Sequence, residues 1–182
     1  MVTAIDEVRA VTDQPVKLVI DENGQGHAML GNSYWAGLGV DILAHEDAIA
    51  VFEKDGVTFG VVICADGGYV EPSRILAVRG ARVIFAPHYN AIGLDGLLNH
   101  FTFVRSDHTA RAVENGVWFL RGNNVRVGHA DERIAYGDSY LVDPTGEIVV
   151  RSQRHAECLI TAEIDVQGHS YHRDRSVKSG HA

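Results

Sequence analysis

The chain has 182 residues, of which 46% are hydrophobic and 22% are charged, an ordinary balance for a folded protein. Its 24 acidic and 16 basic residues give a net charge of -8, which argues against a nucleic-acid partner because phosphate binding favours clustered Lys and Arg. No stretch approaches the roughly 20 apolar residues of a membrane helix. We therefore expect one soluble domain over residues 1–182, with a polar tail at 166–182 and no membrane partner.

The first predicted elements are short strands. Val16–Ile20 predicts a strand, and Asp21–Gly24 carries a strong turn signal. Lys54–Gly56 predicts the turn of a hairpin between a strand at 49–52 and another at Val57–Ile63. The second of these is an almost continuous apolar run, which is typical of a strand buried on both faces.

A β-α-β unit continues from that strand. Cys64–Gly68 predicts a turn, and a helix opens at Glu71 with Pro72 near its first position and Gly80 at its end. Arg82–Ala86 predicts the next strand. The two strands are expected to be parallel, with a right-handed crossover.

The second half of the chain predicts one long helix and more strands. The helix covers Leu97–Asn115, and a buried strand covers Val117–Leu120. A hairpin is predicted over Ser139–Val150 with its turn at Asp143–Gly146, and a last strand over Cys158–Ile164. The order of elements indicates the α/β class with a mixed sheet.

Cys64 is the main candidate for chemistry. It follows a buried strand and precedes a glycine-rich turn and a helix, so its side chain is expected at the carboxyl edge of the sheet, where open α/β sheets bind ligands. A helix N-terminus nearby favours the reactive thiolate. The alternative is an inert buried thiol, since free cysteines are often buried. Cys158 lacks the glycine turn and is predicted to be a packing residue. Two cysteines do not make a disulfide scaffold, which favours a reducing cytoplasm.

The remaining polar residues predict no further site. The ten histidines show neither the H-E-x-x-H form nor a cysteine at zinc spacing, so no metal site is expected. Several arginines are scattered among acids and are predicted to lie on the solvated surface. They are Arg121, Arg126, Arg133, Arg151 and Arg154.

Four segments, taken in order, resemble the nitrilase, or carbon–nitrogen hydrolase, superfamily. VTFGVVICADGGYVEPSRILAVRGARVIFAPHYN is similar to its nucleophile segment, and RSDHTARAVENGVWFLRGNNV to its Arg-Ala-x-Glu-Asn helix and following strand. GDSYLVDPTGEIVVRS resembles its Gly-x-Ser hairpin, and ECLITAEID the last strand of its sheet. The resemblance covers about residues 49–165.

The resemblance implies a four-layer α-β-β-α sandwich, here N-terminally shortened, and a Glu-Lys-Cys triad that needs no cofactor and no metal. It implies that Cys64 is the nucleophile and that the backbone N–H of Ala65 belongs to the oxyanion hole. It places His88, Tyr89 and Asn90 in the substrate-contacting loop. The implied substrate is a small amide, carbamoyl compound or nitrile, with a lean toward amides and carbamoyl compounds, and the implied assembly is a homodimer or higher homo-oligomer.

Two members of the implied triad are not found. The Glu belongs to a segment expected before residue 16, and the Lys position falls near Asn32. The three lysines, Lys17, Lys54 and Lys178, lie elsewhere. Asp41 or Glu46 are candidates for the accessory Glu of the family. Glu114, at the end of the long helix, is expected to support the site wall.

Two hypotheses follow. The first is a cysteine-dependent hydrolase of non-peptide carbon–nitrogen bonds that works through a thioester-type intermediate. The second is a catalytically inactive homologue that binds a ligand or a partner subunit, because the Glu and the Lys are missing. The chain is then either a shortened member of the family or part of a longer enzyme.

Overall fold

The computed structural model describes residues 13–20, 35, 37–43, 50–125 and 133–169. The chain divides into two compact units, Met1–Glu46 and Asp47–Ala182. In the first unit, strands β1 (Leu18–Ile20) and β2 (Asp41–Leu43) pair in parallel, with Leu18 opposite Asp41. The strand predicted at the start of the chain is confirmed, whereas the turn at Asp21–Gly24 lies outside the described residues.

The second unit contains eight described strands, most of which form one sheet. They are β3 (Val51–Lys54), β4 (Val57–Val61), β5 (Val83–His88), β6 (Ile92–Gly93), β7 (Trp118–Asn123), β8 (Arg133–Ile134), β9 (Tyr140–Val142) and β10 (Ile148–Arg151). The sheet is mixed and six-stranded, with the order β10-β9-β7-β5-β4-β3. Strands β4, β5 and β7 are parallel, and the outer strands pair antiparallel. A separate antiparallel pair joins β6 and β8.

Two helices form the crossovers between the parallel strands. Helix α1 (Val70–Val78) connects β4 to β5, and helix α2 (Leu97–Asn115) connects β5 to β7. The predicted bounds of α2 are confirmed, and Gly116 ends the helix because it adopts a left-handed backbone with φ of 60°. Neither α1 nor α2 is long and apolar enough to cross a membrane, and the other described residues contain no such helix.

The hydrophobic core of the second unit forms where these helices pack on the sheet. Leu76 of α1 is fully buried and lies over β4 at Gly60. A Cβ at Gly60 would come within 2.7 Å of a Leu76 methyl carbon, so only glycine allows this approach. The rest of the buried cluster comes from both helices and the central strands, and it includes Ala77, Ala81, Ile84, Ala86, Ala112, Val117 and Phe119.

The strand predicted at Cys158–Ile164 is wrong, because the structure shows no strand there. The residues Ile160, Ala162 and Ile164 instead line a small cavity of about 120 Å³ against the sheet, together with Val83 and Phe85. The alternating pattern therefore reflects an extended segment that lies over the face of the sheet. It does not reflect pairing with an edge strand.

Candidate active site

Cys64 lies where β4 gives way to the turn before α1. It is the first residue of a short 3-10 helix, Cys64–Gly68, and its side chain is half-buried. Its backbone is left-handed, with φ of 51°. Such a conformation is uncommon for a residue with a side chain, and strained residues of this kind cluster at functional sites. The sequence-based placement of Cys64 at the carboxyl edge of the sheet is confirmed.

A cavity of about 260 Å³ opens at this edge. Four of the predicted site residues line it, namely Cys64, Ala65, His88 and Asn90. The structure therefore brings together the strand end, the turn and the loop after β5. Tyr89 is 71% exposed and is not among the described lining residues, so its contact with a substrate stays a prediction.

Asn90 connects Cys64 with the interior. Its Nδ2 donates toward Cys64 Sγ at 3.9 Å. Its Oδ1 accepts a hydrogen bond from Arg121 Nη2 at 2.6 Å. Its backbone N–H donates to the side-chain oxygens of Asn123 and Asn124, at 3.1 and 3.0 Å. The loop that carries Asn90 is therefore held by β7 and the residue that follows it.

Arg121 corrects a sequence-based expectation. It was predicted on the solvated surface, yet its side chain in β7 is fully buried. The expectation fails because a segment distant in sequence supplies acceptors, which are the carbonyl oxygens of Gly137 at 2.9 Å and Asp138 at 2.6 Å. Tyr136 Oη is a further partner at 3.1 Å, and the guanidinium carbon lies 5.4 Å from the centre of the Tyr136 ring.

Two buried histidines lie next to each other beside the cavity. His88 Nδ1 donates to the carbonyl of Ala86 at 2.8 Å, which leaves Nε2 as an acceptor. Its pKa is lowered to about 4, first by burial and then by the positive charge of Arg121. The ring of His108 lies 4.9 Å from it, and burial lowers the pKa of His108 to about 2. Both imidazoles are therefore neutral at neutral pH.

The turn at Cys64 packs directly on His108. A Cβ at Gly67 would lie 3.0 Å from His108 Nε2, so a side chain there would press on the ring. On the other side of the ring, His108 Nδ1 shares a 2.8 Å hydrogen bond with Tyr140 Oη. Gly67 thus permits the close approach between the turn at Cys64 and α2.

Sequence reasoning missed the contribution of α2 to the cavity. His100, Val104, Asp107 and His108 of this helix line it. His100, Val104 and His108 recur every four residues and Asp107 neighbours His108, which places them on one helix face, and the polar members of that face were the signal available in the sequence. The pKa of Asp107 is raised by partial burial, and burial together with Arg121 lowers the pKa of His100.

The predicted supporting residues have different outcomes. Glu114 is not among the described lining residues and pairs with Arg111 at 3.2 Å, so its support of the site wall stays a prediction. Asp41 is exposed in β2 of the first unit, and Glu46 and Asn32 lie outside the described residues. None of the described residues that line the cavity is a lysine or a glutamate.

Comparisons with known proteins agree with the geometry. A family model of carbon-nitrogen hydrolases matches residues 17–171. The chain is 31% identical to an N-carbamoylputrescine amidase of Solanum tuberosum, over 69% of this chain and 46% of that protein. It is 29% identical to an omega-amidase of Xenopus laevis, over 70% of this chain and 44% of that protein. The chain thus spans about half the length of the curated relatives it matches.

A solved structure shows the same fold. The carbon-nitrogen hydrolase of Helicobacter pylori G27 superposes with a TM-score of 0.66 at 20% identity, and the match covers 74% of this chain and 49% of that one. The expectation of a nitrilase-like α/β fold is confirmed by this match. Since the family model covers most of the sequence, the chain belongs to the carbon-nitrogen hydrolase family.

Proposed function

We propose that this chain hydrolyses the carbon–nitrogen bond of a small amide or carbamoyl compound, with Cys64 as the nucleophile. The observation that carries the proposal is the left-handed Cys64 at the end of β4, whose sulfur lies in a cavity and 3.9 Å from the amide nitrogen of Asn90. The relatives named above are amidases, which supports an amide or carbamoyl substrate over a nitrile.

The proposed reaction has two stages. The Cys64 thiolate adds to the carbonyl carbon, and the oxygen takes the negative charge next to the backbone N–H of Ala65. The carbon–nitrogen bond then breaks, the nitrogen takes up the proton that the Cys64 thiol released and leaves as ammonia or an amine, and a thioester remains on Cys64. Water adds to the thioester, the carbon–sulfur bond breaks, and the acid and the free thiol are released. His88 and Asn90 line the space that the substrate would fill.

A second function is favoured by the composition of the cavity wall. The described lining residues offer the neutral imidazoles of His88 and His100 and the carboxyl of Asp107 as proton carriers, but no glutamate and no lysine. Without a strong base and a cation at the nucleophile, the same cavity would bind a small amide or a partner subunit without turning it over. This inactive homologue is the alternative function.

One experiment separates the two functions. The protein is incubated with a panel of small amides, carbamoyl compounds and nitriles while ammonia release is followed, and iodoacetamide labelling of each cysteine is measured by mass spectrometry. Cys64→Ala is the test variant, and Cys158→Ala is the matched control because Cys158 is also a free cysteine but is exposed and outside the cavity.

The hydrolase proposal expects ammonia release that Cys64→Ala abolishes and Cys158→Ala leaves unchanged. It also expects amide substrates to protect Cys64, and not Cys158, from iodoacetamide. Protection without any turnover would support the inactive homologue. An absence of both turnover and protection, with Cys64 labelled no faster than a thiol in the unfolded chain, would overturn both functions.

We also propose that the chain works as a homodimer in the cytoplasm. Helices α1 and α2 expose large apolar side chains, with Val78 50% and Leu98 70% exposed, and such a surface favours association. Both cysteines are free, which suits a reducing compartment. Light scattering of the purified protein tests the assembly.

A further inference from the structure

Arg121 is a buried cation without an anionic partner in the part of the chain that the structure describes. Its side chain is fully buried, and its four hydrogen bonds go to two backbone carbonyls, the Asn90 amide and the Tyr136 hydroxyl. No described carboxylate lies within ion-pair distance, and Nε has no described hydrogen-bond partner. Burying a charge in this way is costly, so a function is needed to explain it.

The position of Arg121 fixes the orientation of Asn90. A guanidinium can only donate hydrogen bonds, so the Asn90 atom 2.6 Å from Nη2 is the carbonyl oxygen. The other end of the same amide, Nδ2, therefore points toward Cys64 Sγ at 3.9 Å. Were Arg121 absent, the amide of Asn90 would be free to present its oxygen to the sulfur, which would repel a thiolate.

The charge of Arg121 also reaches the cavity. After burial, the positive charge of Arg121 is among the causes that lower the pKa of His88 and His100, and both of these side chains line the cavity. The charge of a cation in a low-dielectric interior acts on neighbouring groups that it does not touch, because little water screens it. Positive potential at the nucleophile is what a thiolate and a developing oxyanion require.

We propose that Arg121 is a positioning residue that acts through Asn90: it orients and polarises the Asn90 amide so that Nδ2 stabilises negative charge on Cys64 Sγ. The buried guanidinium has no described anionic partner in the resting chain, and the negative charge that it stabilises is the one that forms on Cys64 Sγ. Because the hydrogen bond from Arg121 is charge-assisted, it strengthens the donor at the other end of the amide. The inference rests on the proposed role of Cys64 as the nucleophile.

The test measures the alkylation of Cys64 by iodoacetamide over a range of pH in a Cys158→Ser background, where Cys64 is the sole thiol. The variants are Arg121→Met, Arg121→Lys, Asn90→Ala and Asn90→Asp. Arg151→Met is the matched control, since this arginine in β10 is exposed. In Asn90→Asp the carboxylate can still accept the hydrogen bond from Arg121, so the buried guanidinium keeps this partner. The variant lacks the Nδ2 donor and places a negative charge beside the Cys64 sulfur.

We expect Arg121→Met and Asn90→Ala each to slow alkylation about tenfold at neutral pH, and Asn90→Asp to slow it more. The rate at high pH, where the thiol is fully ionised, should not change, whereas a loss of structure would alter the rate at every pH. The double variant Arg121→Met/Asn90→Ala should be slower than Asn90→Ala by much less than the factor that Arg121→Met alone causes, because most of the effect of Arg121 passes through the Asn90 amide. Arg121→Lys should recover part of the rate, and Arg151→Met should match the parent.

Rates for both Asn90 variants within twofold of the parent would overturn the inference, as would fully additive effects of the Arg121 and Asn90 substitutions. If Arg121→Met does not fold, Arg121→Lys and the two Asn90 variants still decide between these outcomes. Alkylation needs no amide substrate, so its outcome is separate from turnover. If the Arg121 and Asn90 variants slow alkylation but the parent protein hydrolyses no amide, the hydrolase proposal fails and the inference about Arg121 stands. If the parent hydrolyses an amide but the variants leave alkylation unchanged, the inference fails and the hydrolase proposal stands.

Discussion

The side of the main sheet that α1 and α2 cover has two ends of opposite character. Toward the amino ends of the parallel strands, most of the buried side chains are apolar, and the buried Asn115 at the end of α2 is an exception. We call the apolar residues there the apolar end, and they are Leu76, Ala77, Ala81, Ile84, Ala112 and Val117. Toward the carboxyl ends, large polar side chains are buried beside apolar ones such as Val62 and Ala86. We call the polar residues there the polar end, and they are His88, His108, Arg121, Tyr136 and Tyr140.

The two ends differ in how burial affects stability. The apolar end gains free energy from burial alone, at about 25 cal/mol for each Å² of apolar surface removed from water. At the polar end, hydrogen bonds offset the cost of burying donors and acceptors, and Arg121, whose Nε has no described partner, is kept in the interior at a cost. Cys64 and the cavity lie at the polar end. We infer that the free energy gained at the apolar end offsets the cost of burying polar groups at the polar end.

Truncating the apolar end should have the largest effect on stability. Leu76→Ala removes a fully buried side chain that packs over β4, and we expect the free energy of unfolding to fall by about 2 to 5 kcal/mol. Urea unfolding measures this loss. Alkylation of Cys64 in the fraction that stays folded should keep the parent rate, because the polar end is intact.

Val78→Ala is the matched control on the same helix. Val78 is 50% exposed, so its truncation should cost less than about 0.5 kcal/mol. A Leu76→Ala variant that is as stable as Val78→Ala would contradict the assignment of stability to the apolar end.

The apolar end is also the part that the sequence predicts well, because its signals are local. The run at Val57–Ile63 and the spacing along Leu97–Asn115 depend on neighbours within a few residues, and both elements are found. The exception is Cys158–Ile164, whose alternating pattern is the same for an edge strand and for a segment lying over the face of the sheet.

The polar end is harder to predict because its burial depends on distant partners. Arg121 is acceptable in the interior only because Gly137, Asp138 and Asn90 supply acceptors from 16, 17 and 31 residues away. Cys64 was predictable since its strand, turn and helix are contiguous in sequence. The same contiguity places Asn90 directly after β5, but its hydrogen bond to Arg121 leaves no local signal.

Acid should destabilise the folded chain through the buried histidines of the polar end. The pKa values of His88 and His108 in the folded chain, about 4 and about 2, lie below the ordinary 6.5. Below pH 6.5 the unfolded chain therefore takes up protons that the folded chain does not, and stability falls as the pH falls from 6.5 toward 4. Each such histidine adds a slope approaching about 1.4 kcal/mol per pH unit, or roughly 3 kcal/mol over this range.

Removing one of these histidines should reduce that slope. His108→Asn keeps a hydrogen-bonding group near the position of Nδ1 and cannot be protonated, so its unfolding free energy should depend less steeply on pH between 6.5 and 4. His155→Asn is the control, because His155 is exposed and its φ of 60° suits asparagine. Equal slopes for the parent and for His108→Asn would contradict a buried neutral His108.

The smallest expected effect concerns a single hydroxyl of the polar end. Tyr140 is fully buried, and its Oη lies 2.8 Å from His108 Nδ1. Tyr140→Phe keeps the ring but leaves that nitrogen without its partner, so we expect a loss of about 1 to 2 kcal/mol in urea unfolding. Tyr89→Phe serves as the control, since Tyr89 is 71% exposed and its hydroxyl can bond to water in either state. A Tyr140→Phe variant that is more stable than the parent would mean that the polar end is held by packing in the same way as the apolar end, and that its hydrogen bonds add nothing to the fold.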